Sequence, residues 1–224
     1  VYDMLERLRQ DFPQILIEGC CGGGGRFDGG MLYYTPQIWC SDDSDAIDRL
    51  RIQYGTSFCY PVTTMGAHVS AVPNEQNGRV TPLETRGTVA MSGAFGYEMD
   101  LSKCTEAEKQ VIRQQIETYK ARYALIHQGD YYRLANPFQN SGYTAWEQVS
   151  PDKREALVSV VLGCTHAAPP FRTLSLKGLD PKLNYQADGT GPLYSGATLM
   201  KAGWPLPQVP GDYRSFQFYF RAAR

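Results

Sequence analysis

The sequence predicts an α/β unit with parallel strands, followed by an antiparallel sandwich-like β-module. Up to about residue 127, helical patterns alternate with short apolar runs, and such alternation favours a parallel sheet covered by helices. Beyond that point, short β-rich runs are separated by Gly, Pro and Asn clusters, which is typical of an antiparallel sandwich. The predicted units are therefore residues 1–127 and 128–224.

The composition indicates an ordinary globular protein. Of its 224 residues, 42% are hydrophobic and 20% are charged, which is within the usual range for soluble domains. The net charge of −1 gives no electrostatic reason to expect nucleic acid or an anionic membrane as a partner. The longest apolar run, ALVSVVLGC, is too short to span a bilayer, and no signal-peptide pattern opens the sequence.

The cysteines are expected to be free thiols. They stand at Cys20, Cys21, Cys40, Cys59, Cys104 and Cys164. No CxxC pair occurs among them, so a reducing, cytoplasmic compartment fits better than a disulfide framework. The three histidines lie far apart in the sequence, and we expect no metal site and no cofactor.

Three stretches of the first unit predict helices. Residues 1–12, VYDMLERLRQDF, carry apolar residues at helical spacing and end before a proline. Residues 41–55, SDDSDAIDRLRIQYG, concentrate acidic residues in the first turn, and Gly55 predicts the helix end. The clearest helix opens with the capping box TEAE at 105–108 and stops at Gly129.

The remaining apolar runs predict strands. In the first unit these are ILIEG at 15–19, LYYTPQIWC at 32–40, HVSAVP at 68–73 and TVAMSGAFGYEMDL at 88–101. In the second unit they are DYYRLANP, TAWEQVS, EALVSVVLG, FRTLSLKG, NYQAD and SFQFYFRA. We expect Trp146, inside TAWEQVS, to be a core residue.

The glycine run GCCGGGGRFDGG follows the first predicted strand. A phosphate-binding loop of the Walker type needs G-K-[ST], which is absent. The dinucleotide fingerprint needs a helix that opens directly on the glycines, whereas here loop and strand follow. Two interpretations remain open: a tight turn with positive φ, or a loop where a ligand approaches the backbone closely.

The acidic cluster SDDSD follows the second predicted strand. In the structural interpretation, Ser41 or Asp42 is the helix N-cap, and Asp43 and Asp45 stabilise the helix dipole. In the functional interpretation, Asp42 ends a strand of an α/β unit, where barrel enzymes place catalytic groups. The spacing does not fit a calcium loop. These residues alone leave both interpretations open.

The long run from GCCGGGGRFDGG to SFCYP resembles glycoside hydrolase family 36 α-galactosidases. The resemblance continues through MGAHVSAVPN, RGTVAMSGAFGYEMDL, YRLANP, LKGLDP and YSGATLM, and so covers essentially the whole chain. It implies the C-terminal half of a (β/α)8 TIM-type barrel over 1–127, with ILIEGC and IWCSD as its fifth and sixth strands. An antiparallel β-sandwich domain over 128–224 completes the expected fold.

The resemblance also implies a function. Such enzymes hydrolyse terminal α-D-galactosyl residues of raffinose- and melibiose-type sugars with retention of configuration, using two carboxylates. Asp42 matches the general acid/base, with Asp43 and Asp45 as alternatives. Cys20 and Gly23 match residues that contact the galactose. The expected partner is a galactoside substrate, and the family implies a homo-oligomer, often a tetramer.

One family feature is missing from these residues. The nucleophile lies on a KWDMNR-type strand upstream of the acid/base, and no such run occurs in this sequence. We therefore expect the C-terminal part of a longer enzyme that does not hydrolyse α-galactosides alone. The alternative function is a non-catalytic carbohydrate-binding or assembly module.

Overall fold

The computed structural model describes residues 1–20, 22–139 and 142–223. Its first unit alternates helices with short strands. These are α1 Tyr2–Asp11, β1 Glu18–Gly19, α2 Gly29–Tyr34, β2 Gln37–Ile38, α3 Ala46–Thr56, β3 Gly66–Ser70, α4 Leu83–Ala90, β4 Ala94–Glu98 and α5 Glu106–Gln128. Short 3-10 helices at Val62–Thr64 and Leu101–Lys103 precede β3 and α5.

The four strands are parallel and neighbour one another in chain order. β1 pairs with β2, and β3 pairs with β4. A parallel bridge between Ile38 and Met65 joins the two pairs. A helix connects each strand to the next, which is the repeating unit of a (β/α)8 barrel. The structure therefore confirms the predicted half-barrel.

Helix α5 follows its sequence signals closely. The Thr105 hydroxyl accepts the Glu108 N–H, and the Glu108 carboxylate accepts the Thr105 N–H at 2.8 Å, so the predicted capping box is confirmed. The helix ends at Gly129, as predicted. Within the described ranges, no helix is both long and apolar enough to cross a membrane.

The second unit is rich in β-structure. Its elements are β5 Asp130–Ala135, β6 Tyr143–Val149, β7 Glu155–Leu162, β8 Thr173–Leu174, β9 Asn184–Ala187, β10 Tyr194–Ser195, α6 Gly196–Lys201, β11 Trp204–Pro205 and β12 Ser215–Ala222. Six strands form one sheet in the order β10-β9-β12-β7-β6-β5, with antiparallel pairing throughout. β8 pairs with β11 in a separate antiparallel ladder. The antiparallel sandwich architecture is confirmed.

The central strands of this sheet are buried on both faces. Successive side chains alternate between the faces, so Ala145 and Val158 join the core formed with residues 174–206. On the opposite face, Trp146 packs with Leu50 of α3, and Leu157 packs with α5. Trp146 is a core residue, as predicted. The half-barrel helices and the sandwich therefore share a packed interface.

Two predicted strands of the first unit are too long. Over residues 15–19 only Glu18–Gly19 is a strand, and the strand predicted over residues 32–40 is wrong in its first part. Helix α2 ends at Tyr34, and only Gln37–Ile38 is extended as a strand. The helix forms because the Asp28 carboxylate accepts the N–H of Met31 at 2.8 Å and caps it. The aromatic residues that favoured a strand instead lie on a short helix.

The strand predicted over residues 88–101 is wrong in the same way. Its first residues belong to α4, and the strand is limited to Ala94–Glu98. Seven of the eight α4 residues are buried. A helix buried on nearly every side has no polar face, and hence none of the periodicity that identifies a surface helix.

Candidate active site

The acidic cluster divides into three aspartates with different roles. Helix α3 begins at Ala46, and Asp45 is its N-cap. The Asp45 carboxylate accepts the N–H groups of Ile47 and Asp48 at 3.1 and 3.0 Å, and it pairs with Arg79. The predicted cap at Ser41 or Asp42 is therefore wrong, and so is the predicted helix end at Gly55, because α3 continues to Thr56 and its C-cap is Ser57. Because the Asp45 side chain is buried and fully engaged, it is poorly suited to act as the alternative acid.

Asp43 shapes the turn that leads into the helix. Its carboxylate accepts the Asp45 N–H at 3.0 Å, and its own N–H donates to the Ser41 hydroxyl at 3.2 Å. Asp and Ser side chains commonly form such local turns. Asp43 therefore has a structural role that Asp42 lacks.

The Asp42 carboxylate is exposed. Among the residues that the structure describes, its side chain has no hydrogen-bond or ion-pair partner. Of the three aspartates, it is the one whose carboxylate is not used in the local fold. A carboxylate in this condition is available to exchange a proton with a bound molecule.

The backbone that carries Asp42 is fixed by three side chains. The carbonyl of Ser41 accepts a hydrogen bond from Arg49 at 3.1 Å, that of Asp42 from Gln76 at 2.9 Å, and that of Ser44 from Ser70 at 2.9 Å. These donors lie on α3, on β3 and on the loop after β3. The turn is consequently rigid although its carboxylate is free.

The glycine run packs directly against this turn. Gly23 and Gly24 have φ values of 72° and 93°. A Cβ built on Gly23 would lie 2.8 Å from the Asp42 backbone nitrogen, and one on Gly24 would lie 2.9 Å from the Cys40 carbonyl oxygen. Both positive φ and close backbone contact therefore require glycine. The group that approaches the backbone of Gly23 and Gly24 closely is therefore the segment of residues 40–42.

Cys20 and Asp42 lie at the same end of the half-barrel. Cys20 follows β1 directly, and Asp42 follows the neighbouring parallel strand β2. The Trp39 N–H donates to the Gly19 carbonyl at 2.8 Å, which extends the pairing towards both residues. Carboxyl ends of parallel strands meet at one edge of a sheet, where barrel enzymes carry their active sites. The three predicted site residues, Cys20, Gly23 and Asp42, thus belong to one region.

The cysteines in the described residues are Cys20, Cys40, Cys59, Cys104 and Cys164, and all five are free. Cys20 is exposed. Cys21, for which a free thiol is also expected, lies outside the described residues.

Trp39, His68 and Arg49 form a stack of three side chains, and Arg49 also donates to the acidic turn at the Ser41 carbonyl. The Trp39 ring stacks on His68 with centroids 4.7 Å apart, and the Arg49 guanidinium lies 4.8 Å from a Trp39 ring. His68 Nδ1 is 3.6 Å from a Glu98 carboxylate oxygen. Burial lowers the pKa of Arg49 from its ordinary value. The stack connects the residue after β2 to β3 and α3.

Sequence reasoning did not identify Gln76 or Arg49. Gln76 belongs to the polar run PNEQNGR, which follows β3 much as SDDSD follows β2. That parallel placement was the signal available in the sequence. Arg49 resembles an ordinary polar residue of an exposed helix face, and nothing in the sequence marks it as buried.

Comparison with known families matches residues 1–129 to the Melibiase family and residues 143–220 to the glycosyl hydrolase family 36 C-terminal domain. The bifunctional alpha-galactosidase/sucrose kinase AgaSK of Mediterraneibacter gnavus is 54% identical over 220 residues, covering 98% of this chain and 23% of the relative. Alpha-galactosidase AgaA of Geobacillus stearothermophilus is 50% identical over 224 residues, covering all of this chain and 30% of the relative.

Solved structures agree with these matches. The galactosidase domain of AgaSK superposes with a TM-score of 0.96 at 54% identity, covering 99% of this chain and 31% of that domain. A variant of Geobacillus stearothermophilus AgaA in complex with raffinose superposes with a TM-score of 0.96 at 50% identity, with the same coverage of each chain. The chain thus spans less than a third of the length of these relatives.

Proposed function

The chain belongs to glycoside hydrolase family 36, and on that premise we propose that it carries the general acid/base, Asp42, of a retaining α-galactosidase. One observation carries the proposal. Among the residues that the structure describes, none engages the Asp42 carboxylate, whereas the carboxylates of Asp43 and Asp45 accept backbone N–H groups. Asp42 also lies on a rigid turn after a barrel strand.

In the proposed mechanism, a nucleophilic carboxylate attacks the anomeric carbon of a terminal α-galactosyl group. Asp42 donates its proton to the departing glycosidic oxygen. It then removes a proton from the water that hydrolyses the galactosyl-enzyme intermediate. The two carboxyl groups are about 5–5.5 Å apart in retaining enzymes. The rigid turn fixes the position of the Asp42 carboxylate, and general acid/base efficiency depends on that position.

The proposed substrates are galactosides of the raffinose and melibiose type. Support comes from AgaA, whose variants have been crystallised with raffinose and with stachyose. We assign Cys20 and Gly23 to the subsite for the galactosyl group. Both residues belong to the strand-end region that includes Asp42, and Gly23 packs directly against the turn that carries Asp42.

The nucleophile is assigned to a part of the enzyme other than these 224 residues, because no KWDMNR-type run occurs among them. The chain alone is therefore expected to release no galactose from raffinose. The alternative, a non-catalytic carbohydrate-binding or assembly module, predicts sugar binding without any Asp42-dependent turnover in a complete barrel.

Three further features belong to the proposal. The units divide near residue 127. This boundary is supported by the strand pairing, which is parallel for β1 to β4, before α5, and antiparallel from β5 on. A cytoplasmic location is supported by the five free cysteines. A homo-oligomer, a tetramer in the family, is expected for the full-length enzyme.

A chimera tests the proposed function. This chain replaces the matching stretch of Geobacillus stearothermophilus AgaA, which aligns with all 224 residues. Asp42→Ala is expected to lower kcat on raffinose by about 10²- to 10⁴-fold, the usual contribution of a general acid. Asp43→Ala is the matched control, and we expect a much smaller loss. Equal losses in the two variants, or a folded chimera that is inactive before mutation, would contradict the proposal.

A further inference from the structure

We propose that Gln76 is a positioning residue for Asp42. This inference rests on the proposed role of Asp42 as the acid/base. The Gln76 side-chain amide contacts the turn on both sides of Asp43. Its Nε2 donates to the Asp42 carbonyl at 2.9 Å, and its Oε1 accepts the Ser44 N–H at 3.3 Å. The Gln76 side chain thus fixes the peptide group that joins Asp42 to Asp43.

Gln76 is itself held in place by Asn74. The Gln76 backbone N–H donates to the Asn74 side-chain oxygen at 2.9 Å. Asn74 is buried, and its side-chain nitrogen donates to the Ser44 hydroxyl at 3.1 Å. The Asn74 backbone N–H also donates to the Arg79 carbonyl at 2.9 Å, which closes the loop. The loop over residues 73–79 therefore forms a rigid arm that reaches the acidic turn.

The side chain of Gln76 is exposed. A substitution there can therefore change the rate of catalysis without a comparable loss of folding stability. Exposed substitutions away from the core change stability little. A shift of about 1 Å in a catalytic group, by contrast, can lower the rate by about 100-fold. A positioning residue should therefore affect turnover far more than stability.

Two substitutions separate the contacts of Gln76. Gln76→Glu preserves the size of the side chain and an acceptor for the Ser44 N–H, but an ionised carboxylate cannot donate to the Asp42 carbonyl. Gln76→Ala removes both contacts. Asn77→Ala is the matched control, because Asn77 lies in the same loop and is exposed. Its side chain contacts Asp48 and Arg79, and not the Asp42 peptide.

The kinetic test uses the AgaA chimera. With raffinose, whose leaving group needs protonation, we expect Gln76→Glu to lower kcat by about 10- to 100-fold with little change in KM. Asn77→Ala should stay within about threefold of the parent. In an Asp42→Ala background, assayed on an aryl α-galactoside with azide, Gln76→Glu should change the rate by less than about twofold, because the group it positions is gone.

These assays distinguish failure of the proposed function from failure of the positioning role. If Asp42→Ala has little effect on raffinose hydrolysis, the proposed function fails. If Asp42→Ala is strongly impaired but Gln76→Glu behaves like Asn77→Ala, only the positioning role fails. An equal effect of Gln76→Glu with and without Asp42 would also overturn the positioning role.

A second measurement does not depend on activity. In the 224-residue chain, amide hydrogen exchange at Ser44 reports directly on the contact with the Gln76 oxygen. We expect Gln76→Ala to accelerate exchange at Ser44 by about tenfold or more, and Asn77→Ala to leave it unchanged. Unchanged Ser44 exchange in Gln76→Ala would overturn the inference, since the side chain would then not hold the turn.

Discussion

Gly23 lies against Asp42, and a Cβ at position 23 would be only 2.8 Å from the Asp42 backbone nitrogen. Substitution of Gly23 therefore disturbs both the glycine loop and the turn that carries the proposed acid. Gly23→Ala should destabilise the chain by about 1–3 kcal/mol, since positive φ and a close contact are both penalised. In the AgaA chimera, it should also lower kcat.

Gly22→Ala is the control for this prediction. Gly22 also has positive φ, at 54°, but apart from its chain neighbours no described residue lies within 4 Å of the position of its Cβ. It should therefore incur the backbone cost of about 1 kcal/mol without displacing Asp42. Thermal unfolding and raffinose hydrolysis measure the two effects. Equal kcat losses in the two variants would contradict the close-contact argument.

Glu147 predicts an unusual dependence of stability on pH. Its side chain is fully buried, and burial raises its pKa to about 8. One carboxylate oxygen accepts the Lys177 N–H at 2.9 Å, while the other has no partner among the described residues. Between the pKa of an unfolded glutamate, about 4.3, and about 8, the folded chain keeps a proton that the unfolded chain releases. Stability should therefore fall as pH rises through this window.

The test is urea unfolding at pH 5 and pH 8. Glu147 should contribute a decline of up to about 1.4 kcal/mol per pH unit, and Glu147→Gln should remove that contribution. Glu155→Gln serves as the control, because Glu155 is an accessible carboxylate near Arg221. The same pH slope in wild type and Glu147→Gln would refute the assignment.

Asp45 is predicted to be structural. Asp45→Ala removes the N-cap of α3 and leaves Arg79 without its buried partner, so the free energy of unfolding should fall by about 2–4 kcal/mol. Asp45→Asn keeps a capping oxygen and should lose less. Chemical denaturation of both variants checks this order. Stability unaffected by Asp45→Ala would mean that another residue caps α3.

Gly87 and Gly55 both lie within helices, but we predict that substitution by alanine changes the free energy of unfolding in opposite directions at the two positions. A Cβ on Gly87 would lie 2.1 Å from the buried Gln115 side chain, so Gly87→Ala should destabilise by about 2–4 kcal/mol. Outside the backbone of α3 itself, no described residue lies within 4 Å of the Cβ position of Gly55, so Gly55→Ala should stabilise by about 0.5–1 kcal/mol. Thermal unfolding measures both, and destabilisation by Gly55→Ala would be contrary to this account.

The sequence predicted elements whose signals are local. Helix α1 shows amphipathic spacing and α5 carries its own capping box, so both were identified. The alternation of helices and strands gave the parallel unit, and the turn-rich second half gave the antiparallel one. Helix α4 was missed because it is buried on nearly every side, and its periodicity is therefore absent.

The site was predictable as a region but not in its details. The sequence placed Asp42 and the glycine run after neighbouring strands, which the pairing of β1 with β2 confirms as adjacent. The ion pair of Asp45 with Arg79 joins residues that are 34 positions apart. Gln76 is likewise 34 residues from Asp42. Contacts over such separations depend on the complete fold, and local patterns do not encode them.

We propose above that Asp42 acts as the acid/base of a retaining enzyme. The most direct test is azide rescue of Asp42→Ala in the AgaA chimera, with an aryl α-galactoside that has a good leaving group. The first step needs little protonation there, so the galactosyl-enzyme should accumulate, and azide should restore turnover as α-galactosyl azide of retained configuration. Wild-type rates for Asp42→Ala on raffinose, without any azide product, would contradict the claim.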